Sequence, residues 1–218
     1  IGDIHGCLKA LKTLAAALAI EPGDTVVVLG DLVDRGPDSK GVIDFLMKLR
    51  EKCHLVALKG NHDIMMKRAP RGGRDAVEWI RVGGDATLDS YGTSDVGSIP
   101  DAHWELIESC RRFHETDTHF FVHANAKPEL PLSQQSDISL FWTAFRRPQP
   151  HVSGKVMVCG HTPQKSGAPR DIGHAVCIDT RVHGGGWLTC LDVGSGRYWQ
   201  SNEEGKCRSD QLGEAIGH

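Results

Sequence analysis

The sequence predicts an α/β domain, because apolar runs alternate with amphipathic stretches and the apolar runs end in glycine and polar residues. Residues 7–20 place leucines at helical spacing, whereas "TVVVLG" at 25–30 is typical of a buried parallel strand. A second helical stretch at 38–50 and a second apolar run at 54–59 follow. This strand–helix–strand order predicts a parallel sheet with right-handed crossovers.

The later part of the chain is predicted to be mostly β-structure after a group of short helices. Residues 72–110 contain helical segments broken by Gly and Pro, and we predict a helical insertion at about 64–112. Strand patterns then follow at 119–123, 155–159, 174–178, 186–191 and 196–200. We expect a Pro-rich polar loop at 125–136 and a frayed polar tail at about 202–218. The length predicts a single domain covering 1–218.

The charge balance does not indicate a nucleic acid or a membrane as partner. The formal net charge is −3, and Lys and Arg form no basic field. No apolar run approaches the ~20 residues of a membrane helix, and no signal peptide is recognisable. If the protein binds phosphate, we expect a few local groups to do so.

The seven cysteines are spread along the chain without a CxxC pair, and several lie inside apolar runs. This usage predicts reduced core thiols rather than a disulfide framework, and it indicates a cytoplasmic protein. The sequence opens directly on a motif at Ile1. We therefore expect further residues upstream, and these could include a targeting segment.

Polar residues follow five of the predicted strand segments, usually beside a glycine. The five motifs are "GDIHG" at 2–6, "GDLVDRG" at 30–36, "KGNHD" at 59–63, "HAN" at 123–125 and "CGHT" at 159–162. Open α/β sheets bind ligands at the carboxyl ends of their strands. Any single motif also has a structural explanation, such as a turn, a helix N-cap or a buried histidine. Five motifs at one sheet edge predict a functional site.

The motifs supply three His, two Asp and one Asn as possible ligands, without a cysteine. Such nitrogen and oxygen donors suit Mn²⁺, Fe²⁺, Zn²⁺ or Mg²⁺ better than a thiolate site would. Six ligands exceed the need of one tetrahedral site, but two metals that share a carboxylate would use them all. Two metals about 3.5–4 Å apart hold a hydroxide and clamp the oxygens of an in-line displacement at phosphorus.

Taken in order, the motifs resemble those of the phosphoprotein phosphatase family of binuclear metallophosphoesterases, and the bacterial serine/threonine protein phosphatase type in particular. The first two motifs match the family signatures residue for residue, and the resemblance covers residues 1–163 by motif. It implies a calcineurin-like, four-layer fold in which two mixed β-sheets pack as a sandwich flanked by helices. The dimetal site would lie at the mouth between the sheets.

The resemblance assigns each of the six ligands to one of two divalent metal ions, with Mn²⁺ expected first and Fe, Zn or Mg possible. The first metal takes Asp3, His5 and the bridging Asp31. The second metal takes the same bridge together with Asn61, His123 and His161.

The resemblance also implies how the phosphoester is handled. His62 occupies the place of the general acid that protonates the leaving alkoxide, and Asp34 that of the carboxylate that orients it. Arg35 matches the arginine that grips the phosphate oxygens, which its planar fork can do bidentately. Asn61 lies where it can contact the same phosphate.

Several residues depart from the family pattern or keep two interpretations. The second phosphate-binding arginine is Arg146 or Arg147, and we favour Arg146, although a solvated turn explains both nearly as well. Asn125 replaces the usual glycine, and we expect it to tolerate a left-handed backbone. Asp63 supports the site or caps a helix, and Asp38 caps the second helix.

Two further residues, Asp179 and His183, could reach the rim of the site, but a structural role is the more expected one. The remaining histidines outside the motifs lack the strand-end glycine context, so they are not candidates.

The resulting hypothesis is a metal-dependent phosphatase for phosphoserine or phosphothreonine in proteins, with small phosphoesters as other substrates. One alternative keeps the chemistry and changes the substrate to diadenosine tetraphosphate, cleaved symmetrically. Aromatic and basic groups of the insertion would then line the groove, namely Trp79, Trp104, Arg68, Arg71 and Arg74. Such hydrolases are usually longer than this chain. A second alternative is a non-catalytic phosphate-binding module, although no ligand or acid is missing.

Overall fold

The computed structural model describes residues 1–213, in which seven α-helices surround β-strands. The helices are α1 Leu8–Leu18, α2 Ser39–Leu49, α3 Asn61–Arg68, α4 Gly73–Trp79, α5 Asp85–Tyr91, α6 Asp101–Ser109 and α7 Asp137–Trp142. The first strands are β1 Thr25–Val28, β2 His54–Ala57, β3 Phe113–Glu115, β4 His119–Val122 and β5 Val156–Cys159. The later strands are β6 Arg170–Asp171, β7 Ala175–Cys177, β8 Asp179–Thr180, β9 Trp187–Leu191, β10 Arg197–Ser201 and β11 Cys207–Gln211.

The strands form three hydrogen-bonded groups. Strands β1 and β2 pair in parallel, as the strand–helix–strand pattern predicted. A second group has the order β11-β10-β9-β8 and is antiparallel throughout. The third has the order β3-β4-β5-β7-β6, in which the three central strands are parallel and both edge strands are antiparallel.

The extended N-terminal residues join the first two groups into one mixed layer. The backbone N–H of Leu29, just after β1, donates to the carbonyl of Ile1 at 2.9 Å. On the other side, the N–H of Gly2 donates to the carbonyl of Thr189 in β9, also at 2.9 Å. The protein therefore contains two mixed β-layers.

Successive residues of each strand point to opposite sides, so each β-layer has an inner and an outer face. The two layers pack against each other through their inner faces. Val27 and Leu29 of the first layer share a buried cluster with Phe121 and Val158 of the second. Val26 and its neighbours on the opposite side of β1 pack against α1 and α2.

The outer face of the second layer is covered as well. Phe120 of β4 and Met157 of β5 pack with Leu140 and Phe141 of α7. The order of layers is thus helices, sheet, sheet and helix. This confirms the predicted four-layer sandwich of two mixed sheets flanked by helices.

Most of the predicted elements are present, including the short helices α3 to α6 between β2 and β3. The prediction of a frayed tail from residue 202 is wrong for Cys207–Gln211, which pairs with β10 as an edge strand. All five of its side chains are exposed, so no apolar alternation marks the strand in the sequence. Residues 214–218 of the predicted tail lie outside the described residues.

The cysteines agree with the sequence prediction, since all seven are free thiols and five of them are buried. Within residues 1–213, no helix combines the length and apolar composition that a membrane span requires.

Candidate functional site

The strand ends carry the five sequence motifs to one edge of the two layers. The loops after β1 and β2 touch so closely that a Cβ on Gly30 would lie 2.4 Å from the backbone nitrogen of Gly60. Gly30 also has a φ of 97°, so glycine is required for both space and backbone conformation. This close approach places Asp31 directly beside Asn61 and His62.

Several candidate site residues have left-handed backbone conformations that side chains other than glycine rarely adopt. They are His5 (φ 47°), Asp31 (φ 48°), Asp34 (φ 73°), Arg35 (φ 70°) and His161 (φ 63°). Such conformations cost about 1–3 kcal/mol each and cluster where function fixes side-chain direction. The concentration of strain at the predicted residues supports a functional interpretation of the motifs.

The buried carboxylate of Asp31 lies at the centre of two overlapping groups of possible metal ligands. One group consists of His5, Asp31 and His62, and the other of Asp31, His123 and His161. Within each group, the ligand atoms lie within 4.8 Å of one another. Each carboxylate oxygen faces a different histidine, with His5 Nε2 3.4 Å from Oδ2 and His123 Nε2 3.5 Å from Oδ1. This arrangement can hold two cations that share one carboxylate.

The second group brings unshared electron pairs together. His123 Nδ1 lies 2.9 Å from the carbonyl oxygen of Leu29 and donates to it, which leaves the lone pair of the neutral ring on Nε2. Burial lowers the pKa of His123, so the ring is neutral. Its Nε2 nevertheless lies 3.0 Å from Oδ1 of Asn61, which is also within 2.8 Å of His161 Nδ1. The lone pairs of His123 Nε2 and Asn61 Oδ1 repel each other at this distance. A cation bound by both atoms would remove this repulsion.

In the first group, a backbone carbonyl orients the ring of His5 in the same way. His5 Nδ1 donates to the carbonyl oxygen of Val33 at 3.0 Å, so Nε2 again carries the lone pair. Nη1 of Arg35 lies 3.1 Å from this Nε2. Burial lowers the pKa of His5 well below its usual range, which keeps the ring available as a neutral ligand.

Three buried carboxylates, those of Asp3, Asp31 and Asp179, lie near one another. Burial and the charges of Asp179 and Asp31 raise the pKa of Asp3 well above its usual range. Burial also raises the pKa of Asp179, to about 6. Within residues 1–213, no Lys or Arg forms an ion pair with any of the three. Because buried anions need a compensating charge, this cluster fits divalent cations.

Asp3 occupies a separate position within this cluster. Both of its carboxylate oxygens accept from the backbone N–H of His161, at 3.2 and 2.9 Å. It belongs to neither of the two groups of converging ligand atoms found in the described residues. Asp3 thus connects the first motif to the last one while adding negative charge to the site.

His62 and Asp34 form a buried pair, with Nδ1 of His62 2.7 Å from Oδ2 of Asp34. Burial alone would lower the pKa of His62, but the hydrogen bond to Asp34 and the charges of Asp31 and Asp34 outweigh burial and raise it. The backbone N–H of His62 donates to Asp31 Oδ1 at 3.0 Å. The ring is therefore fixed beside the two ligand groups and holds its proton more strongly than a free histidine.

Two residues that the sequence did not assign to the site fix Asp34. Trp79 Nε1 donates to both carboxylate oxygens, at 3.0 and 3.1 Å, and Thr87 Oγ1 donates to Oδ1 at 2.8 Å. The proposed use of Trp79 for base stacking is wrong, because its side chain is only 1% exposed. Both residues are far from the motifs in sequence, and no pattern around them indicates this contact.

The structure also shows which contacts three loop residues make. Asp63 serves both suggested purposes, since Oδ2 accepts from Gly60 N at the start of α3 and Oδ1 accepts from Leu32 N. Asp38 accepts from Gly41 N and caps α2 as predicted. Asn125 keeps the turn, as expected, but without adopting a left-handed backbone. Its amide instead stabilises the turn through Ala126 N and the carbonyl of Ala144.

The arginines and the rim residues differ in their placement. Arg35 reaches the site, and its Nε donates to the carbonyl of Val82 at 3.4 Å. Arg146 and Arg147 are exposed, and in the described part of the chain neither side chain contacts a motif residue through a hydrogen bond or an ion pair. His183 does reach the site, where its ring lies 4.5 Å from that of His5.

The shared carboxylate leads to a prediction about metal content. We expect protein loaded with Mn²⁺ and then desalted to retain about two ions per chain, since two ligand groups are present. Asp31→Asn removes the charge that both groups share, so we expect both ions to be lost. Mass spectrometry of metals in folded protein measures this. Asp117→Asn, at an exposed position, should retain the normal content, and an Asp31→Asn protein that also retains it would refute the shared site.

Comparisons with known proteins agree with this geometry. The family model described as calcineurin-like phosphoesterase matches residues 1–186. Serine/threonine-protein phosphatase 1 of Salmonella typhimurium is 32% identical over 206 residues, which cover 88% of this chain and 90% of that protein. A symmetrical bis(5'-nucleosyl)-tetraphosphatase of Pseudomonas putida is 40% identical over 139 residues, 62% of this chain but 44% of that protein.

The fold is also found among solved structures. A cold-active protein-tyrosine phosphatase of a psychrophilic Shewanella superimposes with a TM-score of 0.68 at 16% identity, covering 96% of this chain and 78% of that one. At this identity, the likeness concerns the fold alone. The family match and the Salmonella relative show more than the fold, because they also show the family. The chain therefore belongs to the calcineurin-like metallophosphoesterases, hydrolytic phosphatases with a dimetal centre, as the order of its motifs predicted.

Proposed function

We propose that the protein hydrolyses phosphoserine and phosphothreonine in proteins. The observation that carries this proposal is the buried His62–Asp34 pair directly beside the Asp31 ligand groups. An alkoxide is a poor leaving group, so its departure needs a proton donor in this position. The Salmonella relative, matched over 90% of its own length and named a serine/threonine-protein phosphatase, supports the same substrate class.

The chain's residues fit two divalent cations, and we propose Mn²⁺ as the most suitable, with Fe, Zn or Mg as other occupants. As the resemblance implies, one cation would be held by Asp3, His5 and Asp31, and the other by Asp31, Asn61, His123 and His161. The atoms of His5 and Asp31, and those of Asp31, His123 and His161, converge, and Asp3 lies beside them through its contact with His161 N. When bound, the cations supply Lewis acidity and neutralise the charge of the phosphate.

The remaining residues orient the substrate and move the proton. The Arg35 guanidinium, exposed beside His5, is placed to bind phosphate oxygens, and the Asn61 amide lies beside His123. Water adds to phosphorus as the bond to the alkoxide oxygen breaks. His62 gives its Nε2 proton to that oxygen, while Asp34 holds Nδ1 and stabilises the cationic ring before transfer.

Symmetrical hydrolysis of a dinucleoside tetraphosphate is the second candidate, favoured by the 40% identity to the Pseudomonas putida relative. The match spans less than half of that relative's length. The structure supports few base contacts in the insertion, since Trp79 is buried and Trp104 packs partly against the core. A non-catalytic phosphate-binding module is less consistent with a site in which every ligand and the acid are present.

A side-by-side assay separates the two substrates. With Mn²⁺ present, we expect kcat/KM for a phosphoserine peptide to exceed that for diadenosine tetraphosphate by about tenfold or more. The reason is that Trp79 and Trp104 are not free to stack on a base. Steady-state rates of phosphate release and of nucleotide formation provide the comparison. Faster cleavage of the dinucleotide would replace the proposed function by the second candidate. Turnover of neither substrate, with both metals bound, would favour the binding module.

The role of His62 predicts a dependence on the leaving group. His62→Asn should reduce turnover of the phosphoserine peptide by about 10²–10⁴-fold. Turnover of p-nitrophenyl phosphate should fall much less, because p-nitrophenolate leaves without a proton. His151→Asn, which changes a buried histidine outside the site, is the matched control.

Metal analysis of the same variant separates the acid from a ligand. His62 lies in one of the two ligand groups, and metal-binding histidines often bond a carboxylate through their other nitrogen. We expect His62→Asn to retain its metal content. An equal loss of both activities together with loss of one ion would show that His62 is a ligand instead.

A further inference from the structure

His183 contains a buried polar atom that has no partner. Within residues 1–213, its Nδ1 is the sole buried side-chain nitrogen or oxygen that forms no hydrogen bond. Native proteins satisfy nearly all such atoms, because an unsatisfied one destabilises the fold. The exception lies beside the proposed active centre, which suggests that the ring is retained for function.

His183 lies on the turn Val182–Gly184, which follows β8. Its ring packs edge-on against that of His5, with centroids 4.5 Å apart and planes at 78°. The guanidinium of Arg35 contacts the same histidine through Nη1, 3.1 Å from His5 Nε2. His183 and Arg35 are therefore neighbours around one ring, and an anion bound by Arg35 would lie near both.

The turn that carries His183 is rigidly held. Arg181, at its start, has a left-handed backbone with φ 63°. Its carbonyl accepts from the N–H groups of both Gly184 and Gly186 at 3.0 Å, and its own N–H donates to Asp179 Oδ1 at 2.9 Å. The position of the His183 ring is thus fixed by the backbone as well as by its contact with His5.

The lack of a partner for Nδ1 determines where the ring carries its proton. A neutral ring has one N–H, and Nδ1 has no acceptor for it. The proton therefore belongs on Nε2, which is not among the buried unpaired atoms.

We propose that His183 is an additional substrate-binding residue, whose Nε2–H donates a hydrogen bond to an oxygen of the phosphoester that Arg35 holds. This assignment rests on the proposed phosphatase function. It adds a hydrogen-bond donor beside His5 and Arg35.

The substitution His183→Phe tests the proposal, because it keeps a ring against His5 and removes both nitrogens. Titration calorimetry of Mn²⁺-loaded protein with inorganic phosphate should show an affinity about tenfold lower than that of the natural chain, as expected for one lost hydrogen bond to an anion. The Mn²⁺ content should be unchanged, and metal-free protein should unfold at the same or a higher temperature, since an unsatisfied atom is gone.

His183→Gln is the second variant, because its amide can again donate, and we expect it to recover part of the phosphate affinity. His151→Phe is the matched control. Both of its ring nitrogens are satisfied, by Ser153 Oγ and the carbonyl of Leu130, each at 2.8 Å. We therefore expect this control to unfold at a lower temperature and to bind phosphate normally.

Phosphate affinity of His183→Phe within twofold of that of the natural chain would overturn the proposal. Loss of Mn²⁺ from this variant would do so as well, by showing that the ring supports a metal rather than the substrate. Phosphate binding is measured without turnover. A chain that binds phosphate through His183 but hydrolyses no phosphoprotein would refute the proposed function and leave this inference standing.

Discussion

The buried carboxylate of Asp31 is the constraint on which the rest of the site depends. Its backbone carbonyl accepts from the N–H groups of Ile4 and His5 at 3.1 and 2.8 Å, which ties the first motif to the second. Its Oδ1 accepts from the N–H of His62, which adds the third motif. Gly60 must lack a side chain here, since a Cβ would lie 2.1 Å from the same oxygen. One carboxylate thereby fixes the loops that carry both ligand groups.

Such a centre is unfavourable by itself, because it combines buried like charges with strained backbone. The rest of the fold compensates for this cost. The loops extend from strands that are buried on both faces, between a helical layer and the second sheet. Local strain of a few kcal/mol persists only where the surrounding structure fixes the conformation, and the paired sheets provide that rigidity. The natural compensation for the charges is a pair of cations.

Much of this organisation could be predicted from the sequence because it depends on local patterns. The parallel strands β1 and β2 appear as continuous apolar runs, and the motifs that follow them contain glycine at the positions where loops touch. These features place Asp31 and its neighbours at one sheet edge. Strand β11 could not be found in this way, because an exposed edge strand has no apolar period.

The contacts that depend on the tertiary fold were beyond prediction. Trp79 and Thr87 meet Asp34 only because the insertion folds back over the site. The sequence allowed His183 to reach the rim of the site, but its contact with His5 through the turn after β8 follows from no motif. Asn125 was expected to preserve its turn by tolerating a left-handed backbone, but it stabilises the turn through its side chain instead. Side-chain partners far apart in sequence leave no periodic signal.

A crystal structure of the Mn²⁺-loaded protein, with anomalous scattering recorded for manganese, would show whether two metals share Asp31. We expect two peaks about 3.5–4 Å apart, one on each side of the Asp31 carboxylate. One peak should be next to His5 and the other next to Asn61, His123 and His161. A single peak, or two peaks that do not share Asp31, would contradict this expectation.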